Sequence, residues 1–295
     1  MKILIPIDVW QGNDSLASDL SSILPLGQAE LVLAYSIQSE PHVEKIAGSG
    51  SVDSLYIELE KKAKSTLEDF AKQLKPLAKS VETCFEHGPP ASVIESIAKR
   101  RNADLIVIRG SAIGLLESTF LGNTVSLVVK HSPCPILVLQ AGAIVNPLGK
   151  VIVGLDGSQL AKEALRKFCE TYKAWSKKIQ IVLVNVVSIP GPWRYIAPLE
   201  FIATLEDNLD MAAKAILAEG KTIIAECGWE LNTKEDSMIV RSGDPAYELD
   251  RLASEINAGL IVVAAQGKTA VQHFLLGSVS EALALKSSFP VLVFK

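Results

Sequence analysis

The chain has 295 residues, 48% of them hydrophobic and 21% charged, with a formal net charge of −4. That is ample material for two cores, and the acidic balance excludes a general nucleic-acid-binding surface. No apolar run approaches the ~20 residues that a bilayer-spanning helix needs, so a cytoplasmic protein with neither nucleic-acid nor membrane partners is expected.

Short apolar runs alternate with longer amphipathic ones throughout. In the first half, strands are expected at 2–8, 30–36, 81–86, 104–109 and 135–139, with helices at 14–24, 53–79, 91–101 and 122–131. The opening run Met1–Asp8 reads as a buried strand rather than a signal peptide, because Asp8 ends it too soon. Residues 53–79, with Glu58, Glu60, Lys61, Lys62 and Lys64, read as an amphipathic helix with a solvated charged face. A turn-rich join, Ala141-Gly-Ala-Ile-Val-Asn-Pro-Leu-Gly149, follows. In the second half, strands are expected at 150–156, 179–187, 236–241, 259–264 and 290–294, with helices at 158–176, 199–227, 244–256 and 277–287. Between them, Ile189-Pro-Gly-Pro192 with Trp193 and Tyr195 reads as an ordinary loop packing on its own domain.

Runs such as Leu105-Ile-Val-Ile108 do not alternate, as expected of strands covered on both faces. Strand–helix–strand alternation then requires parallel sheets with right-handed crossovers. The fold class expected is α/β, with two doubly wound domains at 1–141 and 149–295.

The two halves are copies of each other. Lys2-Ile-Leu-Ile-Pro-Ile-Asp8 matches Lys150-Val-Ile-Val-Gly-Leu-Asp156, an offset of 148 residues. Gly88 matches Gly243, Asn102-Ala-Asp-Leu-Ile-Val-Ile108 matches Asn257-Ala-Gly-Leu-Ile-Val-Val263, and Leu121-Gly122 matches Leu276-Gly277, all at 155. From the third strand onward the copies run without a length change. Their loops can therefore be compared position by position.

In doubly wound sheets ligands sit at the carboxyl ends of the strands. That directs attention to Asp8 and Asp156 after the first strands, to Val186 near the end of the second, and to the loop after the fourth. In the second copy this loop starts Ala264-Ala-Gln-Gly267 and reaches Gly277-Ser278-Val279-Ser280. Small residues at 264 and 267 let backbone N–H groups approach a phosphate. Gly277 opens a helix whose free amides and dipole favour negative charge. Ser278 either caps that helix or donates to an oxyanion, and Ser280 adds a second hydroxyl. Gly267-Lys268-Thr269 is not the end of a Walker A motif, because Val262 stands where its first glycine belongs. Lys268 faces either phosphate or solvent. In the first copy the same positions carry Arg109, Ala112 and Asn123, and a long arginine at that turn is expected to occupy phosphate space.

Other chemistries have little support. The four cysteines (Cys84, Cys134, Cys169, Cys227) show no CxxC and share no repeat position, so they read as reduced thiols packed as small apolar groups. The histidines His42, His87, His131 and His273 have no metal-ligand spacing, and no GxSxG proposes a nucleophile elbow.

The pattern Ala264-x2-Gly267-x9-Gly277-Ser278 resembles that of the universal stress protein family in its tandem-domain form. Further marks are Asp156-Gly157-Ser158, Gly243-Asp-Pro245 and Lys130-His-Ser-Pro-Cys-Pro-Ile-Leu-Val138, and the likeness covers nearly all of the chain. One departure is Ala264, where nucleotide-binding members carry glycine. The resemblance implies Rossmann-like five-stranded domains with ATP, with or without Mg2+, at the strand ends. By position, Asp156 would hold the ribose or a metal and Val186 would pack on adenine. Ala264 and Gly267 would line the phosphate loop, and Gly277, Ser278, Val279 and Ser280 would receive the phosphates. It also implies pairing through the last strands, within one chain as a pseudo-dimer or between two chains as a homodimer.

Three functions compete. One is a stress-response regulator binding ATP or another adenine nucleotide in the second domain, with at most slow hydrolysis and an unnamed protein partner. Another is a nucleotide-independent tandem scaffold or chaperone-like module. The last is an adenylyl-transferring enzyme, which would need a further substrate domain.

Overall fold

The computed structural model describes residues 1–7, 15–38, 49–110, 121–140, 142–189, 191–230, 237–267 and 276–295, without the side chains of 49–53, 121–123 and 193–195. The chain divides into two compact units, Met1–Leu137 and Val138–Lys295.

In the first repeat the order is β1 (Lys2–Pro6), α1 (Leu16–Ile23), β2 (Glu30–Ile37), α2 (Ser49–Leu74), β3 (Ser80–His87), α3 (Pro90–Arg101), β4 (Leu105–Arg109), α4 (Leu121–His131) and β5 (Ile136–Leu139). The second repeat runs β6 (Lys150–Gly154), α5 (Gln159–Thr171), β7 (Gln180–Val187), α6 (Gly191–Ile196), α7 (Leu199–Glu226), β8 (Met238–Ser242), α8 (Pro245–Ile256), β9 (Leu260–Ala264), α9 (Ser278–Lys286) and β10 (Val291–Phe294). Strand neighbours follow β3-β2-β1-β4-β5 in the first and β8-β7-β6-β9-β10 in the second, the same order twice. The registers of β1 with β2 and β4, and of β6 with β7 and β9, are parallel. The α/β class and the parallel, doubly wound sheets expected from sequence are what the structure shows.

Buried strand residues explain the non-alternating runs. Leu105–Ile108 and Leu260–Val263 are buried at every position because helices cover both faces. Both copies also terminate the third crossover helix alike. Asn102 (φ 50°) and Asn257 (φ 53°) adopt the left-handed conformation just after α3 and α8, where asparagine is tolerated.

The differences from the expected boundaries have local causes. Helix α2 stops at Leu74 instead of reaching 79, because Pro76 disfavours helical geometry at Lys75 and brings no N–H of its own. Its buried face is Ala63, Leu67, Phe70 and Leu74, while Lys64 pairs with Glu60 on the solvated side. Helix α5 ends at Thr171, and a tight 3-10 turn, Lys173–Trp175, replaces its last turn. The segment read as a loop after Ile189 contains α6, in which Pro192 occupies the first turn, where a missing N–H costs nothing. The side chains of Trp193 and Tyr195 lie outside the described residues, as do Asp8, His42, Ala112, Lys268, Thr269 and His273, and the side chain of Asn123.

Candidate functional site

The carboxyl ends of β6, β7 and β9 and the start of α9 surround a cavity of about 280 Å³. Asp156, Val186, Ala264, Gly267, Gly277, Ser278, Val279 and Ser280 all line it. The structure thus brings together the eight residues that the sequence reading assigned to a nucleotide in the second repeat, while Lys268 lies outside the described residues. It adds Gly154, Leu155, Ala161, Val184, Pro245, Leu249, Val263 and Gln266. Val184 was within reach of pattern reasoning, since residues two apart share a strand face with Val186. Pro245 and Leu249 come from α8, which sequence spacing alone did not place beside the cavity.

Strand β6 ends at Gly154, so Asp156 lies two residues beyond it rather than at its tip. Gly157 takes φ 82°, turning the chain so that the Ser158 amide and hydroxyl both donate to Asp156 Oδ1, at 3.0 and 2.7 Å. Ser158 is also the N-cap of α5, its Oγ accepting from the Ala161 amide at 3.2 Å. Oδ1 is therefore held by the helix start, and Oδ2 is turned to the phosphate-type loop: a Cβ added at Gly267 would lie 2.6 Å from it. Glycine at 267 is a spatial requirement, not a conformational one, because its φ is not positive.

The loop is closed by one carbonyl. Ala265 C=O accepts from the Gly277 amide (2.7 Å) and from Ser280 Oγ (2.8 Å), joining the two ends of the excursion. A Cβ at Gly277 would meet that oxygen at 3.3 Å, tighter than ordinary contact. Gly277, with φ −69° and ψ 147°, is itself the N-cap of α9, so Ser278 is the first helical residue and does not cap. The first intrahelical bond runs from the Glu281 amide to Gly277 C=O. The amides of Ser278, Val279 and Ser280 consequently have no acceptor within the helix. Ser280 is 2% exposed and its hydroxyl hydrogen goes to backbone carbonyls. It holds the ends of the loop together rather than turning the second hydroxyl expected from sequence into the cavity.

Ala264, the departure from glycine, ends β9 with a φ that is not positive. Nothing about the backbone there calls for glycine, and the methyl forms part of the wall. Much of the rest of the lining is apolar, including Val184, Val186, Val263 and Leu249. Buried Asn185 ties β7 to the end of β6 by donating to Leu155 C=O at 2.6 Å.

In the first repeat, Arg109 Nη2 lies 3.4 Å from Ser15 Oγ and 3.9 Å from Asp19 Oδ2, and Ser15 Oγ donates to that carboxylate at 2.8 Å. The guanidinium reaches across to the start of α1. Val125 stands where the second repeat has Ser280 and is buried, so the hydroxyl that shuts the loop has no counterpart.

The sequence matches the pattern of the Universal stress protein family twice, over residues 1–140 and 147–295. A universal stress protein of Mycobacterium tuberculosis is 30% identical over 206 residues, 65% of this chain and 61% of that protein. The alignment thus spans less than two thirds of that relative. The crystal structure of a universal stress protein from Archaeoglobus fulgidus superposes over the whole chain with a TM-score of 0.66 at 20% identity, covering 96% of that chain. A universal stress protein solved in complex with cAMP matches half of this chain and 96% of its own, at 24% identity and a TM-score of 0.36. With the family's pattern repeated from end to end and its fold formed in both halves, this chain belongs to the universal stress protein family, with the domain present twice.

Proposed function

We propose that this protein is a stress-response regulator that binds ATP, or another adenine nucleotide, in its second repeat, with occupancy altering a surface read by a protein partner. The observation that carries the reading is the pairing, in one cavity, of an apolar lining with helix-start amides that have no acceptor within their own helix. A flat base suits Val184, Val186 and Leu249, and phosphate oxygens suit the amides of Ser278, Val279 and Ser280.

Asp156 is the one carboxylate among the described residues lining the cavity. A triphosphate beside it brings like charges together unless a cation lies between them. Magnesium fits this setting, since it commonly takes one or two carboxylates together with substrate phosphates. Asp156 would hold it, and it would neutralise charge. Among the described residues no cluster of three or more His, Cys, Asp or Glu side chains could hold a metal alone, so the cation should arrive with the nucleotide. Among the described residues lining the cavity there is no histidine or glutamate to act as a base, and hydrolysis is expected to be slow at most. The first repeat, with Arg109 in place of the small residue, serves packing and pairing.

Thermal unfolding with ATP and Mg2+ tests this. At 100 times the dissociation constant, stabilisation should be ~2.7 kcal/mol. Asp156→Ala and Gly277→Val should each abolish the shift, and omission of Mg2+ should weaken it for ATP. Absence of a shift with any adenine nucleotide would instead support a nucleotide-independent scaffold or chaperone-like module.

A further inference from the structure

Helices α5 and α7 meet along a seam held by two ion pairs. Lys162 pairs with Glu219 at 2.8 Å, and one turn on Arg166 pairs with Glu226 at 3.2 Å. The next turn of α5 presents Cys169, and the residue after Glu226 is Cys227. Beyond them the Trp229 indole N–H donates to Cys169 C=O at 3.0 Å, and its ring lies 6.1 Å from that of Phe168. The two cysteines are thus bracketed by contacts on both sides, close enough for Cys227 to act on the Cys169 thiol although 58 positions separate them. The sequence, with its scattered cysteines, does not show this juxtaposition.

We propose that Cys169 and Cys227 form an intramolecular disulfide when the protein meets a hydroperoxide, locking the end of α5 to the end of α7. The inference does not depend on nucleotide binding.

The two thiols have different roles. Cys169 is fully buried, and burial, with Cys227 beside it, pushes its thiol up to about 12. It stays protonated and out of reach of solvent. Cys227 is half-buried and caps the carboxyl end of α7, where the regular helix has already ended. Its thiolate attacks the hydroperoxide: a sulfur–oxygen bond forms, the O–O bond breaks, and the departing hydroxide or alkoxide takes up the proton that the thiol had released, so that water or an alcohol leaves and a sulfenic acid remains. Cys169 sulfur then attacks Cys227 sulfur. The S–S bond forms, the S–O bond breaks, and hydroxide leaves with the Cys169 proton as water. Two thiols are oxidised and one peroxide is reduced by the same two electrons. Cys84, whose thiol donates to Glu86 at 3.4 Å, and Cys134, within reach of the Ser132 hydroxyl at 3.9 Å, take no part.

The full chain should be treated with hydrogen peroxide after removal of reductant, then denatured and alkylated. Two of the four thiols should resist alkylation, the intact mass should fall by two hydrogens, and proteolysis should yield a linked peptide pair carrying Cys169 and Cys227. Dithiothreitol should restore all four. Cys227→Ser, at a half-exposed position, should fold and give no linked pair. Oxygen added at Cys227 without a cross-link, or a cross-link running through Cys84 or Cys134, would overturn the proposal.

Discussion

The two repeats share strand order and differ at the carboxyl ends of those strands. In the second, Ala264, Gly267 and Gly277 keep the loop thin, and Ser280 fastens it to Ala265. In the first, Arg109 and Val125 occupy the matching positions, and the guanidinium turns to Ser15 and Asp19. The lesson is that the ladders and crossovers tolerate wide drift in end-of-strand residues. The framework is maintained by apolar burial, whereas the cavity depends on a handful of close approaches.

A second difference lies in the long helices. The buried stripe Ala63, Leu67, Phe70, Leu74 of α2 corresponds to Ala213, Leu217, Gly220, Ile224 of α7. Phenylalanine thus fills a slot that glycine fills in the other copy. At Gly220 a Cβ would lie 2.6 Å from Leu155 and 2.9 Å from Leu183, so the leucines already occupy that volume.

Substitutions at these matched positions sharpen the contrast. Phe70→Ala should have the largest effect, a loss of about 3–5 kcal/mol in the unfolding of the first repeat, measured by urea titration. Gly220→Val should overpack the second core and cost about 1–3 kcal/mol, read in the same way. A neutral result would show that Leu155 and Leu183 can move aside. Ser280→Ala should cost about 1 kcal/mol through the loosened Ala265 carbonyl and should weaken the nucleotide-induced thermal shift, whereas Val125 offers no equivalent to remove. Asp244→Ala removes the side chain that accepts from the Tyr247 amide at 2.9 Å and should cost about 1 kcal/mol of stability. Pro89, the matching residue of the first repeat, has no cap to lose. Arg109→Ala should change stability by no more than ~1 kcal/mol, as for other part-exposed pairs, and should leave any nucleotide effect intact.

Much of this organisation was legible in the residues themselves. Offsets of 148 and then 155 residues paired the copies, and non-alternating runs such as Leu105–Ile108 announced strands covered on both sides. The candidate site was legible where close approach restricts residue size, at Gly267 and Gly277. It was less so where a contact joins distant segments. Ser280 looked like a ligand hydroxyl because its carbonyl partner, Ala265, is brought close only by the closed loop. Leu249 was missed because nothing in an amphipathic helix says which of its apolar residues will reach a cavity. Cys169 and Cys227 looked unrelated because only the packing of α5 on α7 makes them neighbours. The short helix α6 was hidden by prolines that usually signal a turn.

Ser158 carries one last implication. Its oxygen serves two clients at once, the Asp156 carboxylate and the Ala161 amide in the first turn of α5. Whatever tugs on that carboxylate must also load the leading end of a stiff rod, thirteen residues long, whose far end abuts Trp229. Slowed deuterium uptake at the Ala161 amide would therefore announce a guest in the crevice without any label on the guest itself.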